Sequence, residues 1–230
     1  MIAKEGILMI QSGDFVKLNF TGKLDDGAVF DTTIPEVAKT EGMEGTKTFK
    51  PIIICVGQRM LVPGLDTQLI GRQPGKFTVK LSPDESFGRK DPKLLKIVPT
   101  MQLVKQQINP YPGLRLNIDG NYGTVRTVSS GRTIVDFNHP LASQDVIYDV
   151  EVLEIVKDQK DQIMALLDGA GLPYKEVTAE GDNAVVKLNA MFPKPILDML
   201  QNKITQLTSV KTVSFEQGKK PEAVSEAKSA

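Results

Sequence analysis

The side chains that most often carry reactions are scarce in this chain. It holds one cysteine, Cys55, and one histidine, His139. A single cysteine excludes an intrachain disulfide and fits a reducing compartment. One histidine leaves too few soft ligands for a zinc site, so no metal is expected. Cys55 lies in an apolar run and reads as an inert core thiol. His139, just before Pro140, reads as structural or as a rim contact. What remains is Asp31 and a set of aromatic residues: Phe20, Phe30, Phe87 and Tyr148. Taken alone, aromatics at alternate strand positions are core, and an aspartate after a strand is a turn or cap residue.

The elements that would position these residues can be read from periodicity. Residues 5–10 and 14–24 are expected as strands, the second because Val16, Leu18 and Phe20 alternate with Lys17 and Asn19. Asp25-Asp26-Gly27 makes a turn, and a strand from Ala28 to Thr32 returns as a hairpin. Residues 34–48 read as a loop with room for one helical turn around Glu36 to Thr40. Phe49 to Val56 is an apolar strand ended by Gly57. Leu61, Leu65 and Leu69 then fall on one face of a short helix, with Pro63 in its first turn and Gly71 as its stop. Phe77, Val79 and Leu81 alternate in a further strand. The matching strand comes much later, from Val146 to Ile155, where Tyr148, Val150 and Val152 alternate with Asp149 and Glu151; a bulge is expected at Val152-Leu153.

A curled antiparallel sheet around one short helix thus accounts for residues 1–89 together with 139–156, and it implies that residues 90–138 are inserted. The insert contains seven lysines or arginines, three aspartates and no glutamate. It is locally basic and rich in β formers, with strands expected at Leu94 to Val98, Leu114 to Ile118, Thr124 to Ser129 and Arg132 to Phe137. A structureless loop of that length would be unusual, so it reads as a small β-domain. Residues 157–216 follow the order helix (Gln159 to Leu167), strand (Tyr174 to Thr178), strand (Ala184 to Asn189), helix (Pro195 to Leu207), strand (Val210 to Phe215), a small α+β sandwich. Residues 217–230 have almost nothing apolar and read as a disordered tail. The fold class is therefore α+β in three parts.

Lysine plus arginine equals aspartate plus glutamate, 28 against 28, so no global charge draws the chain to nucleic acid or membrane. The apolar run Ile7 to Ile10 is too short for the core of an export signal, and no stretch approaches the ~18–20 apolar residues that span a bilayer. A soluble cytoplasmic protein is expected.

Several separated stretches, in order, resemble the FKBP family of prolyl isomerases. Phe20-Thr21-Gly22-Lys23-Leu24-Asp25-Asp26-Gly27-Ala28-Val29-Phe30-Asp31-Thr32 resembles the family's first hairpin. Val56-Gly57 through Val62-Pro63-Gly64-Leu65 resembles the strand and helix that floor its pocket, and Leu81-Ser82-Pro83-Asp84-Glu85-Ser86-Phe87-Gly88 the strand end that follows. Val135-Asp136-Phe137-Asn138-His139-Pro140-Leu141-Ala142 and Ile147-Tyr148-Asp149-Val150-Glu151-Val152 are similar to the SlyD-type branch, which carries an insert-in-flap domain at this place. The resemblance covers roughly residues 5–156.

It implies an FKBP half-barrel and a peptidyl-prolyl cis/trans isomerase that needs no cofactor. Carried over position by position, the catalytic set is Asp31, Phe20, Phe30, Phe87 and Tyr148, and the substrate-binding set is Ile52, Leu61, Val62, Leu65 and Leu141. Phe20 and Phe87 stand where many members have tyrosine, and Leu65 where some have tryptophan, which tells against tight macrolide binding. The histidine-rich metal-binding tail of some SlyD-like proteins is absent. The resemblance also implies that the insert holds unfolded chains containing X–Pro bonds, for which Leu94, Leu95, Ile97, Val98, Met101, Leu103, Val104 and Ile108 supply an apolar stretch, and that the C-terminal domain mediates a homodimer. Two further readings stay open: a holdase or proline-recognition module without rate enhancement, and a scaffold that docks partners. Nucleic-acid binding by the basic insert has only Tyr111, Tyr122 and Phe137 as stacking platforms and is not expected.

Overall fold

The computed structural model describes residues 8–43, 48–118 and 120–216. They form two compact units: residues 1–79 with 147–230, and residues 80–146, within their described parts.

In the first unit a long strand, β1 (Phe15–Leu24), organises the sheet. Beside it run β2 (Val29–Thr32) and β3 (Ile52–Cys55); the sheet continues through a late strand, Val146–Ile155, to Gly75–Leu81. The pairings of β1 with β2 and β3 are antiparallel, with Thr21 opposite Thr32 and Leu18 opposite Ile52. The alternation read in the sequence is realised: Val16, Leu18 and Phe20 are buried, as are Tyr148, Val150 and Val152. Opposite charges tie the strands on the other face, where Lys23 pairs with Asp149 at 2.7 Å and Lys76 with Glu151 at 3.5 Å. Two short helices accompany the sheet, α1 (Pro35–Thr40) and α2 (Pro63–Leu69), each with proline in its first turn, where a missing N–H costs nothing.

One expected strand is not seen among its described residues. Residues 8–10 of the 5–10 run are not in a sheet, and residues 5–7 lie outside the described set. Ile10 is fully buried, but its N–H donates to the Arg72 carbonyl and its own carbonyl accepts from Gly71 N–H. Its backbone is satisfied by the residues just after α2 instead of by a strand. The expected tail, residues 217–230, also lies outside the described residues.

The second unit contains a four-stranded sheet. Its strands are β5 (Leu95–Pro99), β6 (Arg115–Ile118), β7 (Asn121–Ser129) and β8 (Arg132–Asp136), in the order β5-β8-β7-β6, β4 being the strand Gly75–Leu81 of the first unit. A helix, α3 (Thr100–Lys105), joins β5 to the rest, so the insert is not all β. Only Leu103 of that helix is buried, and one inward residue in six leaves no period to detect. Leu103, Leu116, Val125 and Val135 make the core. Asp136 is buried beneath Arg126, whose Nε and Nη2 both donate to its Oδ2, while Asn138 donates to Oδ1. Burial works against this charge, but the hydrogen bonds from Asn138 and Arg126 prevail and hold the carboxyl below the usual carboxylate range.

The remaining elements complete the first unit: β9 (Val146–Ile155), α4 (Gln159–Gly169), β10 (Tyr174–Glu180), β11 (Asn183–Leu188), α5 (Lys194–Leu207) and β12 (Thr212–Glu216). Strand β10 pairs antiparallel with β11, and β11 parallel with β12. These elements share a core with the first sheet. Phe15 and Cys55 pack in one buried cluster with Ile163, Leu166, Leu167, Val186 and Ile204. Among the described residues no helix is long and apolar enough to cross a membrane.

Candidate functional site

Three distant stretches bring their rings together. Phe20 points inward from β1, Phe30 from β2 and Tyr148 from β9. The Phe20 and Tyr148 rings meet edge-on at 5.8 Å, and Phe30 meets Tyr148 at 5.7 Å with planes 88° apart, the geometry that aromatic quadrupoles favour. Phe20 and Tyr148 are buried, whereas Phe30 keeps part of its surface open. The room for this meeting is made by Gly22. A Cβ built there would lie 2.5 Å from Phe30 Cζ and 3.1 Å from Tyr148 Cε1, so the glycine is needed for space and not for backbone freedom.

Asp31 follows Phe30 and is fixed by its neighbours. Its Oδ1 accepts the Thr32 N–H at 2.9 Å. Thr32 and Thr33, both buried, clamp the hairpin to β1. Thr33 Oγ1 accepts Phe20 N–H at 2.9 Å and donates to Asn19 Oδ1, while Thr32 Oγ1 donates to the Phe20 carbonyl and lies 3.0 Å from Thr21 Oγ1. The backbone on either side of the rings is therefore held by buried hydroxyls. The Tyr148 phenol is shifted well above its ordinary range, first by burial and then by the negative charge of Asp31. Tyr148 accordingly keeps its proton, and its hydroxyl stays a neutral donor near the Asp31 carboxylate.

The substrate-binding candidates of the first unit sit on β3 and α2. Ile52 lies opposite Leu18 and so shares the face of Phe20. Leu65 is fully buried in α2. Leu61 and Val62, half-buried, precede that helix, with Val62 as its N-cap, where the first N–H groups have no intrahelical acceptor. The loop leading in is held by Asp66, a buried carboxylate that the sequence did not single out. It accepts Gly57 N–H at 2.8 Å and Arg59 N–H at 3.0 Å. That anchoring holds Arg59 at φ +55°, a conformation uncommon for a residue other than glycine.

Phe87 and Leu141 belong to the second unit. There Phe87 stacks on His139, centroids 4.5 Å apart and planes 2° from parallel, and the Leu141 N–H donates to His139 Nδ1 at 3.2 Å. His139, which reads in the sequence as structural or as a rim contact, is thus a ring partner of Phe87. A hollow of about 430 Å³ lined by Asn19, Thr78, Asp149 and Glu151 lies toward the charged face of the first sheet and holds none of the three converging rings. Among the described residues no group of three or more His, Cys, Asp or Glu side chains could hold a metal ion.

Three neighbouring aromatic rings and one fixed carboxylate can desolvate and orient an apolar ring and its amide. They offer no nucleophile. Comparison with known proteins agrees with this chemistry. Residues 8–105 match the family described as FKBP-type peptidyl-prolyl cis-trans isomerase, and residues 96–141 match the one described as FKBP26, IF domain. The FKBP-type 16 kDa peptidyl-prolyl cis-trans isomerase of Escherichia coli is 34% identical over 151 residues, covering 64% of this chain and 93% of that protein. The short-type peptidyl-prolyl cis-trans isomerase of Methanocaldococcus jannaschii is 28% identical over 151 residues, 65% of this chain and 96% of the relative. SlyD of Aeromonas hydrophila is 29% identical over 143 residues, 61% of each chain.

Proposed function

This chain belongs to the FKBP-type peptidyl-prolyl cis-trans isomerases, and from that premise we propose that its X–Pro rotation takes place against Phe20, Phe30 and Tyr148, with Asp31 as the orienting charge. The barrier to be lowered is amide resonance, ~18–20 kcal/mol, and unaided rotation takes tens of seconds or more. A planar amide is strongly polar; the twisted form has less charge separation. A water-poor aromatic surface therefore penalises the ground state more than the transition state. Ile52, Leu61 and Leu65 extend the apolar surface, and the Val62 N–H holds a substrate carbonyl. Phe87 and Leu141 have their part in substrate contact from the resemblance alone.

The observation that carries this reading is the junction of the two edge-to-face contacts at Tyr148 beside the anchored Asp31. Exchange NMR on an Ala-Leu-Pro-Phe peptide tests it. Asp31→Ala lowers kcat/KM with the fold retained; unchanged exchange rates remove Asp31 from the mechanism.

The second unit adds a client surface in this proposal. Of the apolar stretch read in the sequence, Leu103 closes the unit's core and Val98 and Ile108 pack against it, while Ile97, Met101 and Val104 are more than half exposed. Together with Leu94 and Leu95 these support binding of unfolded chains, which a common polypeptide then presents repeatedly to the catalytic surface. For the C-terminal elements we propose homodimerisation, supported by α5, which leaves Ile196 and Met199 exposed one turn apart. The lone thiol suits a cytoplasmic setting for this work.

A further inference from the structure

A second hollow, of about 400 Å³, lies within the first unit where β3 faces α4 and β10. Its floor is apolar, from Pro51, Ile53, Met60 and Met164, and its wall is acidic. Asp161, Met164, Ala165 and Asp168 all line it, which is the i, i+3, i+4, i+7 stripe of a single helix face. Each end of that stripe thus carries a carboxylate, with a thioether between them. Tyr174 closes the side, its hydroxyl hydrogen-bonded to Asp168 and its phenol shifted upward, first by burial and then by the charge of Asp168. Lys50 is the lone cation of the lining against two carboxylates, and among the described residues neither carboxylate forms an ion pair. Met60 is packed so closely here that a Cβ on Gly169 would sit 2.6 Å from its Cε.

We propose that this hollow binds the arginine or lysine side chain of a polypeptide, at a place that holds none of the catalytic rings and shares only Ile52 with the proposed prolyl surface. Long basic side chains have an apolar stem and a charged head. Here the stem lies on the methionine floor, and the head reaches the carboxylate of Asp161 or of Asp168 at either end of the stripe, for which guanidinium has matching geometry. Strand β3 pairs with β1 alone among the described strands, but on its other edge Cys55 is already occupied, its N–H donating to Met60 Sδ at 3.2 Å and its carbonyl accepting from Gln58 N–H at 3.2 Å, so the side chain in the hollow, and not strand addition, holds the peptide. Cationic residues flanking a proline or an apolar run would then select clients, whereas the catalytic rings read only the proline.

The test uses the full chain with methyl-labelled methionine and a proline-free probe, Ac-Ala-Leu-Arg-Leu-Ala-amide. The Met60 and Met164 methyls shift saturably with the arginine peptide, and its glutamate counterpart shifts neither. Asp161→Asn with Asp168→Asn weakens binding at least tenfold, while the exchange rate of Ala-Leu-Pro-Phe is unchanged, which separates this site from the isomerase reading. Because Asp168 also holds Tyr174, Asp161→Asn alone is measured too and weakens binding several-fold with an unaltered melting temperature. Shifts confined to Met101, equal shifts with the glutamate peptide, or undiminished affinity in the folded Asp161→Asn variant would each overturn the proposal.

Discussion

Phe30 and Tyr148 meet at 5.7 Å over a glycine that has no room for a methyl group. Gly22→Ala therefore drives Phe30 from its place. Overpacking of this kind costs about 1–3 kcal/mol, and denaturant melts of the variant report a loss in that range. The isomerisation rate falls further than the stability does, because the displaced ring is itself part of the surface. A stable variant with normal exchange rates would mean that Phe30 moves freely.

Raised acid groups set the behaviour in alkali. Burial, and next the charge of Asp66, push the Cys55 thiol from 9.0 up to about 11, while nearby Lys203 pulls the other way. In the unfolded chain the thiol ionises near its ordinary value, so between about 9 and 11 the unfolded state has shed a proton that the folded state retains. Stability is thus complete below that window and declines as pH rises through it; Tyr148, shifted in the same direction, extends the decline upward. Thiol-reagent labelling at pH 9 proceeds only at the rate of unfolding. Rapid labelling of the native protein would contradict the burial argument.

Some of this was legible in the sequence. The alternation of Val16, Leu18 and Phe20 and the spacing of Leu61, Leu65 and Leu69 located β1 and α2, because each element buries one face. The resemblance, not periodicity, placed Phe20 with Tyr148, since strand pairing between such distant segments leaves no local mark. Asp66 was passed over because a buried carboxylate looks like any surface aspartate until its N–H donors are seen. Lys17 and Asn19 mark the other face of β1 as polar, yet Phe15 at its start is buried on that face with Cys55 against α4. That cover is supplied by residues far later in the chain.

The ends of the insert lie together, Asp91 N–H donating to Asn138 Oδ1 at 2.8 Å and Asn138 Nδ2 to the Asp91 carbonyl at 3.1 Å. Residues 90–138 can accordingly be excised and the gap closed by a short turn. The shortened chain keeps its rate on tetrapeptides and loses most of it on a protein whose refolding waits for a proline. Equal loss on both substrates would contradict the tethering role.

Exposed Met199 on α5 offers a direct handle on assembly. Met199→Glu places a charge on the proposed contact face and converts a dimer to monomers in sedimentation equilibrium, with the melting temperature of the monomer retained. Sedimentation of the unsubstituted chain as a monomer would end the dimer proposal.

The central claim is that the aromatic junction is where the prolyl bond turns. Phe30→Ala, with its fold checked by circular dichroism, is compared with the unsubstituted chain by exchange NMR on Ala-Leu-Pro-Phe. The account predicts a fall of at least tenfold in kcat/KM, with binding of a proline-free unfolded chain unchanged. A folded Phe30→Ala protein that turns the peptide over at the original rate would contradict it.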